Sequence, residues 1–504
     1  MSLPRSSGVL LHPTSLPGPH GSGDFGAAAF HFVDWLKIAG QKLWQVLPLG
    51  GVGPGYSPYM SCSAFAGNVL MIDLQDLQER GWLTKTELAD RAVFTSSDDS
   101  PYRANFDKVV PWRMAKLDIA AHRFRAAIDP EAQKTLRDFY KKHAHWLDDY
   151  ALYMSLSDDL GSGDWTTWPR ALALREPNAL QVARTQYATR IHFWIFCQWC
   201  FFRQWRALKD YANQADVQII GDAPIFVAHQ SADVWAHPEL FKLDGQGQPT
   251  VVAGVPPDYF SATGQRWGNP IYDWKAHKQE NYVWWIERIR HSFELVDILR
   301  IDHFRGFVDY WEIPAAEPTA MTGKWVKGPG GALFKAIRAA LGDRPIIAED
   351  LGILTPQVEA LRVRLRYPGM RILHFAFSGS ATNLYLPHNY DANTVAYTGT
   401  HDNNTSRGWW AELDESTRNQ VRDYLSLRGD EEAQIHWKLI EACCSSVAAT
   451  VLHPLQDVLG LGAESRMNLP GVGQGYWAWR FSWDQVHEWH APRLAKVCAR
   501  FGRD

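Results

Sequence analysis

Runs of apolar residues recur along the chain and predict eight short strands. Each run is four to ten residues of strand type, bounded by turns or charge. The eight predicted strands are residues 7–13, 43–48, 217–224, 298–303, 345–350, 370–377, 394–402 and 449–455. Segments in which apolar residues have helical spacing lie between most of these strands, as at residues 27–39 and 356–365. Helical crossovers imply a parallel sheet, and eight such units predict a (β/α)8 barrel. The alternative, an open doubly wound sheet, is less favoured because no GxGxxG motif or P-loop follows the first strand.

Two long stretches break this alternation. Residues 50–190 follow the second strand and contain several helical segments, so we predict a mostly helical insertion there. Residues 225–275 follow the third strand without a regular pattern and form a second predicted insertion. A chain of 504 residues could hold several domains, but one barrel domain over residues 1–504 with these insertions also fits the length.

Charge argues against several classes of partner. The formal net charge is −4, without a basic block, which argues against nucleic acid and against an anionic membrane surface. The first residues contain no apolar signal segment, and no later run approaches the length of a membrane span, so we expect a cytoplasmic protein. The 24 Trp, 18 Tyr and 23 Phe residues are unusual. Aromatic faces stack on sugars, although most such residues fill cores.

Cysteine and histidine spacing predicts no metal site. Cys197 and Cys200 form a CxxC motif inside an apolar segment, but no second Cys or His pair completes a zinc site. His143 and His145 likewise lack obvious convergent ligands in the sequence. We therefore interpret all six cysteines as reduced thiols, most of them buried.

Four predicted strands end in carboxylates. They are Asp222, Asp302, Glu349 with its neighbour Asp350, and Asp402. In a barrel, the carboxyl ends of the strands meet at one face, so these acids would converge there. Each acid could instead cap the following helix. The presence of Arg300, His303 and His401 at the same strand ends favours convergence.

Arg300 and Asp302 lie two residues apart on one strand and therefore share a face. A guanidinium beside a carboxylate lowers the carboxyl pKa, so we expect Asp302 to be permanently ionised. An ordinary structural ion pair is the alternative.

The strand ends carry a family resemblance. Residues 298–306, 347–352 and 398–404 resemble the three catalytic motifs of the α-amylase superfamily. In detail the chain resembles its 4-α-glucanotransferase family (amylomaltase, disproportionating enzyme; glycoside hydrolase family 77). The resemblance covers residues 8–26, 55–68, 221–241, 256–274, 300–314, 323–334 and 465–471. The stretch Val-Pro-Pro-Asp-Tyr-Phe-Ser-Ala-Thr-Gly-Gln-Arg-Trp-Gly-Asn at residues 255–269 is specific to this family.

The resemblance implies catalytic roles that agree with the chemistry of the residues. Asp302 matches the nucleophile, Glu349 the acid/base, and Asp402 a third carboxylate that stabilises the oxocarbenium-like transition state. Glu349 ends an apolar strand, so desolvation should raise its pKa as an acid requires. Asp350 is the competing acid, but strand alternation sends it to the other face.

The resemblance also implies substrate contacts. His303 and His401 match hydrogen-bond donors to sugar hydroxyls, and Tyr59 matches a platform that stacks on the sugar, although it could be a core tyrosine. The full set of predicted substrate-binding residues is Tyr59, Ser57, Asp222, Tyr259, Phe260, Trp267, Asn269, Arg300, His303 and His401.

The implied activity is transfer of α-1,4-glucan segments, as in maltooligosaccharides and starch or glycogen fragments, to the 4-hydroxyl of another glucan or of glucose. The expected mechanism is a retaining double displacement without metal or organic cofactor. Alternatives are an α-amylase-type hydrolase, a branching enzyme, and a catalytically dead glucan-binding barrel. We further expect the loop at residues 255–261 to exclude water, with Pro256 and Pro257 stiffening it and Tyr259 and Phe260 at its tip. These two rings could instead pack into the insertion.

Overall fold

Twelve strands form two sheets in the part of the chain that the computed structural model describes, which is residues 3–89, 92–94, 100–127, 129–257, 261–352 and 354–504. The strands are β1 Ser6–Leu10, β2 Leu43–Gln45, β3 Gln218–Ala223, β4 Val251–Val255, β5 Gln265–Pro270, β6 Ile298–Ile301, β7 Asp309–Pro314, β8 Lys324–Lys327, β9 Ile346–Ala348, β10 Gly369–Ile372, β11 Thr394–Tyr397 and β12 Thr450–Pro454.

Eight of these strands form one parallel sheet in the order β10-β11-β12-β1-β2-β3-β6-β9. They correspond in order to the eight predicted strands. The two end strands are linked, because the Ala348 N–H donates to the Pro368 carbonyl at 3.0 Å. The Asp350 carboxylate also accepts from the Met370 N–H at 2.7 Å. The sheet is therefore nearly closed as a barrel, and the predicted (β/α)8 architecture is confirmed.

The barrel interior is a layer of apolar side chains. Its members come from seven of the eight strands and are fully or almost fully buried: Leu43, Ile220, Ile298, Ile347, Met370, Ile372, Val395, Tyr397 and Leu452. Residues two apart on a strand share a face, so the next inward positions toward the carboxyl ends are Asp222, Arg300 and Glu349. The polar groups thus form the layer directly above an apolar floor.

Helices cover the outside of the barrel and fill the insertions. They are α1 Ala27–Ile38, α2 Leu74–Glu79, α3 Lys85–Ala89, α4 Phe106–Ala126, α5 Pro130–Leu160, α6 Arg170–Ala173, α7 Pro177–Gln186, α8 Ala188–Gln214, α9 Ala232–Ala236, α10 Trp274–Gln279, α11 Val283–Leu295, α12 Gly331–Leu341, α13 Pro356–Leu365, α14 Ser406–Glu412, α15 Glu415–Tyr424, α16 Ile435–Ser445, α17 Leu455–Leu459 and α18 His490–Arg500. In the described ranges, none of these helices is both long and apolar enough to cross a membrane.

The stretch between β2 and β3 contains α2 to α8, and its longest helix, α5, has clear sequence signals at both ends. The Asp129 carboxylate accepts from the Ala132 N–H at 2.9 Å, and Pro130 occupies the first helical position. Gly161 ends the helix with a φ of 67°, a conformation that glycine adopts without strain. Helix α5 packs along α8, the helix that leads into β3.

The remaining strands form a second, antiparallel sheet in the order β5-β4-β7-β8. Residues 225–275 were expected to form an insertion without a regular pattern. No strand was predicted there or at residues 309–327. The strands are short, and Gly254, Gly268 and Pro270 interrupt the β-branched pattern on which a prediction depends. Two of its strands, β4 and β5, precede β6, and β7 begins at Asp309, shortly after β6 ends at Ile301, so this sheet adjoins the carboxyl end of β6.

Candidate active site

A buried guanidinium lies at the centre of the polar layer. Strand register places Asp222 of β3 opposite Arg300 of β6. Arg300 Nη1 donates to both carboxylate oxygens of Asp222, at 2.7 and 2.6 Å. Its Nη2 lies 3.0 Å from Oδ1 of Asp302. Arg300 therefore joins two of the predicted carboxylates. We call the region around Asp222, Arg300, Asp302, Glu349 and Asp402 the bowl.

Asp302 is ionically paired, but its pKa is not lowered. Its side chain keeps 30% of its surface open to the bowl. Burial raises the pKa of Asp302 to about 8, and the charges of Glu349, Asp222 and Asp402 add to this, while Arg300 opposes it. Arg300 does act to lower the pKa, as predicted, but the net shift is upward, so the prediction of a permanently ionised Asp302 is wrong. Several carboxylates share one guanidinium, so its charge does not compensate all of them.

Glu349 follows β9 and is held by backbone donors. Its Oε2 accepts the His303 N–H at 2.8 Å, and its Oε1 accepts the Leu351 N–H at 2.7 Å. His303 has a φ of 47°, and this turn directs its N–H at Glu349. Burial raises the pKa of Glu349, which Arg300 and the two N–H groups oppose. The predicted direction of this shift is confirmed.

Asp350 lies on the other side of the strand. Its carboxylate accepts the Met370 N–H and lies 3.4 and 3.5 Å from the guanidinium groups of Arg362 and Arg371. The expectation that Glu349 and Asp350 occupy opposite faces is confirmed. Asp350 links β9 to β10 at the point where the barrel closes.

Tyr59 projects into the bowl from the loop after β2. Its hydroxyl donates to Asp222 at 2.7 Å and lies 2.9 Å from Nε2 of His401. The rings of Tyr59 and His401 stack with centroids 5.2 Å apart. The Ser57 hydroxyl accepts the Tyr59 N–H at 3.3 Å and caps the turn at Pro58–Met60. Ser57 therefore positions Tyr59.

Asp402 follows β11, with 44% of its side-chain surface exposed. Its Oδ1 accepts a hydrogen bond from Nδ2 of Asn468 at 2.6 Å and lies 3.4 Å from Nε2 of His401. Nη2 of Arg466 donates to the Asp402 carbonyl at 2.6 Å. The C-terminal segment that contains Asn468 thus fixes this carboxylate from outside the barrel.

The two bowl histidines are neutral at neutral pH. Burial lowers the pKa of His303 to about 4 and also lowers that of His401. Nε2 of His303 and Nδ1 of His401 are buried and have no hydrogen-bond partner among the described residues. Trp267 of β5 contacts His303 edge-on, with centroids 4.9 Å apart. Each histidine therefore keeps one ring nitrogen whose hydrogen-bonding capacity the described residues do not use.

A sequence model of the 4-alpha-glucanotransferase family matches residues 11–485. The chain belongs to the 4-α-glucanotransferase family. The 4-alpha-glucanotransferase of Thermus thermophilus is 48% identical over 98% of this chain and 98% of its own length. That of Synechocystis sp. is 46% identical over 99% and 98%. The solved structure of an amylomaltase from Streptococcus agalactiae in complex with acarbose has a TM-score of 0.95 and 39% identity, covering 99% of both chains.

One of the described residues predicted from the 4-α-glucanotransferase resemblance, Asn269, falls outside this arrangement. Asn269 is buried, and its Nδ2 donates to the Val227 carbonyl at 2.9 Å. It therefore fixes the end of β5. Tyr259 and Phe260 lie outside the described residues.

Sequence reasoning on the family motifs missed Asn468, Arg466 and Trp477 as site residues. The ring of Trp477 lies 5.6 Å from that of Tyr59 and 5.9 Å from that of His401. Residues 465–471 belong to the resemblance, which was a usable signal for Asn468. Trp477 follows a glycine-rich stretch, and nothing in that local pattern indicates the bowl.

One expectation about metal ligands is wrong in part. His143, His291 and Glu294 bring one ligand atom each within 4.8 Å of one another, so His143 does have convergent neighbours. These groups already have protein partners: Lys142 lies 2.7 Å from Glu294, and His291 Nε2 lies 2.7 Å from the Phe65 carbonyl. The cluster joins α5 to α11 and is separate from the bowl. All six cysteines are free thiols, five of them buried.

Proposed function

We propose that this member of the 4-α-glucanotransferase family transfers α-1,4-glucan segments to the 4-hydroxyl of another glucan or of glucose, in the cytoplasm, by a retaining double displacement. The observation that carries the proposal is the convergence of Asp302, Glu349 and Asp402 around Arg300 at the carboxyl ends of three strands. Two carboxyl groups are the minimum for a retaining exchange, one as nucleophile and one as acid and then base.

In the first step Asp302 attacks the anomeric carbon while Glu349 protonates the leaving oxygen. Burial raises the pKa of both groups, so the pair retains one proton at neutral pH. Arg300 contacts Asp302 at 3.0 Å and carries a full charge, whereas Glu349 accepts only from backbone N–H groups. The ionised form is therefore favoured on Asp302 and the proton on Glu349, as the step requires.

In the second step the shortened glucan leaves, and an acceptor 4-hydroxyl enters. Glu349, now ionised, takes the proton of that hydroxyl as it attacks the glycosyl-enzyme ester of Asp302. Asp402 stabilises the positive charge that develops on the sugar. Tyr59 stacks on the sugar at the cleavage point, and His303 and His401 pair with hydroxyls through their ring nitrogens.

Transfer rather than hydrolysis requires that water be kept from the glycosyl-enzyme. The loop predicted to do this leaves β4 at Val255 and enters β5 at Gln265, so it is the turn of an antiparallel pair. On β5, Trp267 contacts His303, which anchors this hairpin beside the bowl. Replacement of Tyr259 or Phe260 by alanine should raise the fraction of glycosyl groups lost to water, and an unchanged fraction in a folded double variant would remove the loop from the mechanism.

Incubation with maltotriose and analysis of the products tests the proposal. A ladder of longer glucans together with glucose is the expected result. Maltose plus glucose without longer products would identify a hydrolase instead. No reaction with an intact, folded protein would identify a glucan-binding barrel.

A further inference from the structure

Trp325 is a large aromatic side chain that remains exposed on the antiparallel sheet, where it contacts Arg305 of the segment that follows Asp302 and His303. It lies on β8, the edge strand of the antiparallel sheet, and 39% of its surface is open to solvent. Single exposed apolar side chains are common and need no ligand, whereas an aromatic ring that is rigidly held beside a sugar site is suited to stacking. The surroundings of Trp325 determine whether it is of this kind.

Two neighbours hold the Trp325 ring. The guanidinium carbon of Arg305 lies 3.7 Å from the ring centroid, and Nε of Arg305 donates to Asp309 at 2.8 Å. Trp311, directly opposite on β7, packs against Trp325 with centroids 5.3 Å apart and planes at 66°. One face of the indole is therefore under a cation and one edge is against a second indole. The open surface lies on the opposite face.

Trp311 is itself fixed, so the support does not depend on mobile side chains. Its Nε1 donates to the Ala320 carbonyl at 2.9 Å. A side chain on Gly323 would come within 2.5 Å of the Trp311 ring, which shows how closely the backbone approaches it. A ring held in this way loses little side-chain entropy when a ligand stacks on it.

The exposed ring is joined directly to the catalytic strand. Arg305 is two residues after His303, whose backbone N–H donates to Glu349 in the bowl at 2.8 Å. The N–H groups of Gly328 and Gly330 donate to the carbonyls of Val308 and Phe307 at 2.8 and 2.7 Å. The end of β8 is therefore tied to the segment that follows Asp302 and His303.

We propose that Trp325 forms an additional stacking subsite for α-1,4-glucan chains that extend beyond the bowl. The assignment rests on the proposed glucan-transfer function and adds a preference for long chains. The occupant is a glucan rather than a protein because the open indole face adjoins a sugar site, and such faces stack on the apolar faces of sugars. Arg305 fixes the Trp325 ring and covers one of its faces. Only the other face is left, so it takes a single glucan chain.

The test compares a long and a short donor in the full-length enzyme. In Trp325→Ala, we expect the ratio of kcat/KM for maltoheptaose to kcat/KM for maltotriose to fall about three- to tenfold, the loss of one aromatic stack. Trp325→Phe should recover part of that ratio. Trp489→Ala is the matched control, because Trp489 is 46% exposed and also lies near an arginine, Arg493, but it directly precedes the outer helix α18. It should leave the ratio unchanged.

A second measurement separates this proposal from the proposed function. Calorimetric titration of maltoheptaose and maltotriose into Glu349→Gln, with and without Trp325→Ala, measures chain-length preference without turnover. A preference that disappears with Trp325 supports the subsite even if the wild-type products are those of hydrolysis. A chain-length preference that Trp325→Ala leaves unchanged overturns the subsite. An equal loss for both donors assigns Trp325 a structural role, and a change in oligomeric mass at constant ratio assigns it a contact between two copies; both results overturn the subsite.

Discussion

Asp302 and Glu349 in the bowl and the buried Asp457 behind it have the same cause of pKa shift but different surroundings. Burial raises the pKa of Asp302 and Glu349, and it also raises that of Asp457 on α17. The oxygens of Asp457 are occupied by fixed donors: the Thr398 hydroxyl at 2.6 Å and the N–H and hydroxyl of Ser406 at 2.6 and 2.7 Å.

In the bowl, by contrast, the carboxylates face a space that a ligand can enter. Asp302 is partly open, and the ring nitrogens nearby lack partners among the residues described. Asp457 is 1% exposed. A shifted pKa therefore does not distinguish a catalytic acid from a structural one in this chain. Two features do distinguish a catalytic acid from a structural one here. One is whether the carboxylate faces an open space, and the other is whether its oxygens already accept hydrogen bonds from the protein.

The largest expected effect is on turnover in the bowl. Asp302→Asn, Glu349→Gln and Asp402→Asn should each lower kcat by about 10² to 10⁴-fold or more while the protein remains folded, because each removes a charge or proton that the transition state uses. Initial rates on maltotriose, with circular dichroism as a check on folding, measure this. Asp350→Asn is the adjacent control and should retain transfer. Near-normal turnover in Glu349→Gln together with inactivity in Asp350→Asn would reverse the assignment of the acid.

The next largest effect is on the pH dependence of activity, which depends on the raised pKa of the bowl acids. The shared proton of Asp302 and Glu349 is needed for the first step, and burial raises the pKa of Asp302 to about 8. A raised carboxyl pKa means that the proton is present below this value and is lost as the pH rises through it. We expect kcat/KM for maltotriose to fall about tenfold per pH unit above about 8. A flat profile between pH 7 and 10 would contradict a protonated acid in the bowl.

Behind the bowl, substitution should affect stability more than chemistry. Asp457→Asn replaces Oδ2, the acceptor of the Thr398 and Ser406 hydroxyls, with an NH2 donor, so the free energy of unfolding should fall by about 1–3 kcal/mol. Activity per folded molecule should change less than tenfold. Urea unfolding measures the first quantity. Asp391→Asn, at an exposed position, is the control and should stay within about 0.5 kcal/mol. A loss of activity as large as that of Glu349→Gln, at unchanged stability, would place Asp457 in the chemistry.

The smallest expected effect is that of metal removal. The His143, His291 and Glu294 cluster lies apart from the bowl, and its groups have protein partners. Dialysis against a chelator should therefore leave the transfer rate within about twofold, since the proposed steps use only carboxylates and neutral donors. Loss of activity that one added cation restores would contradict this prediction.

Local sequence was sufficient to predict the barrel strands and the convergence of the acids. Apolar runs that end abruptly in Asp222, Asp302, Glu349 and Asp402 indicate parallel strands whose carboxyl ends meet. Alternation along a strand was also enough to separate Glu349 from Asp350, because successive side chains point to opposite faces. The family motifs then supplied the roles, which local pattern alone does not contain.

Tertiary structure alone decided the electrostatics and the neighbours contributed by distant segments. The pKa of Asp302 depends on burial and on charges from three other strands, so the adjacent Arg300 was a misleading guide. Asn468 and Trp477 reach the bowl from more than sixty residues beyond Asp402, and the exposure of Trp325 depends on its pairing with Trp311. Desolvation and long-range contact are properties of the folded arrangement, and neither has a period or a spacing that could be read along the chain.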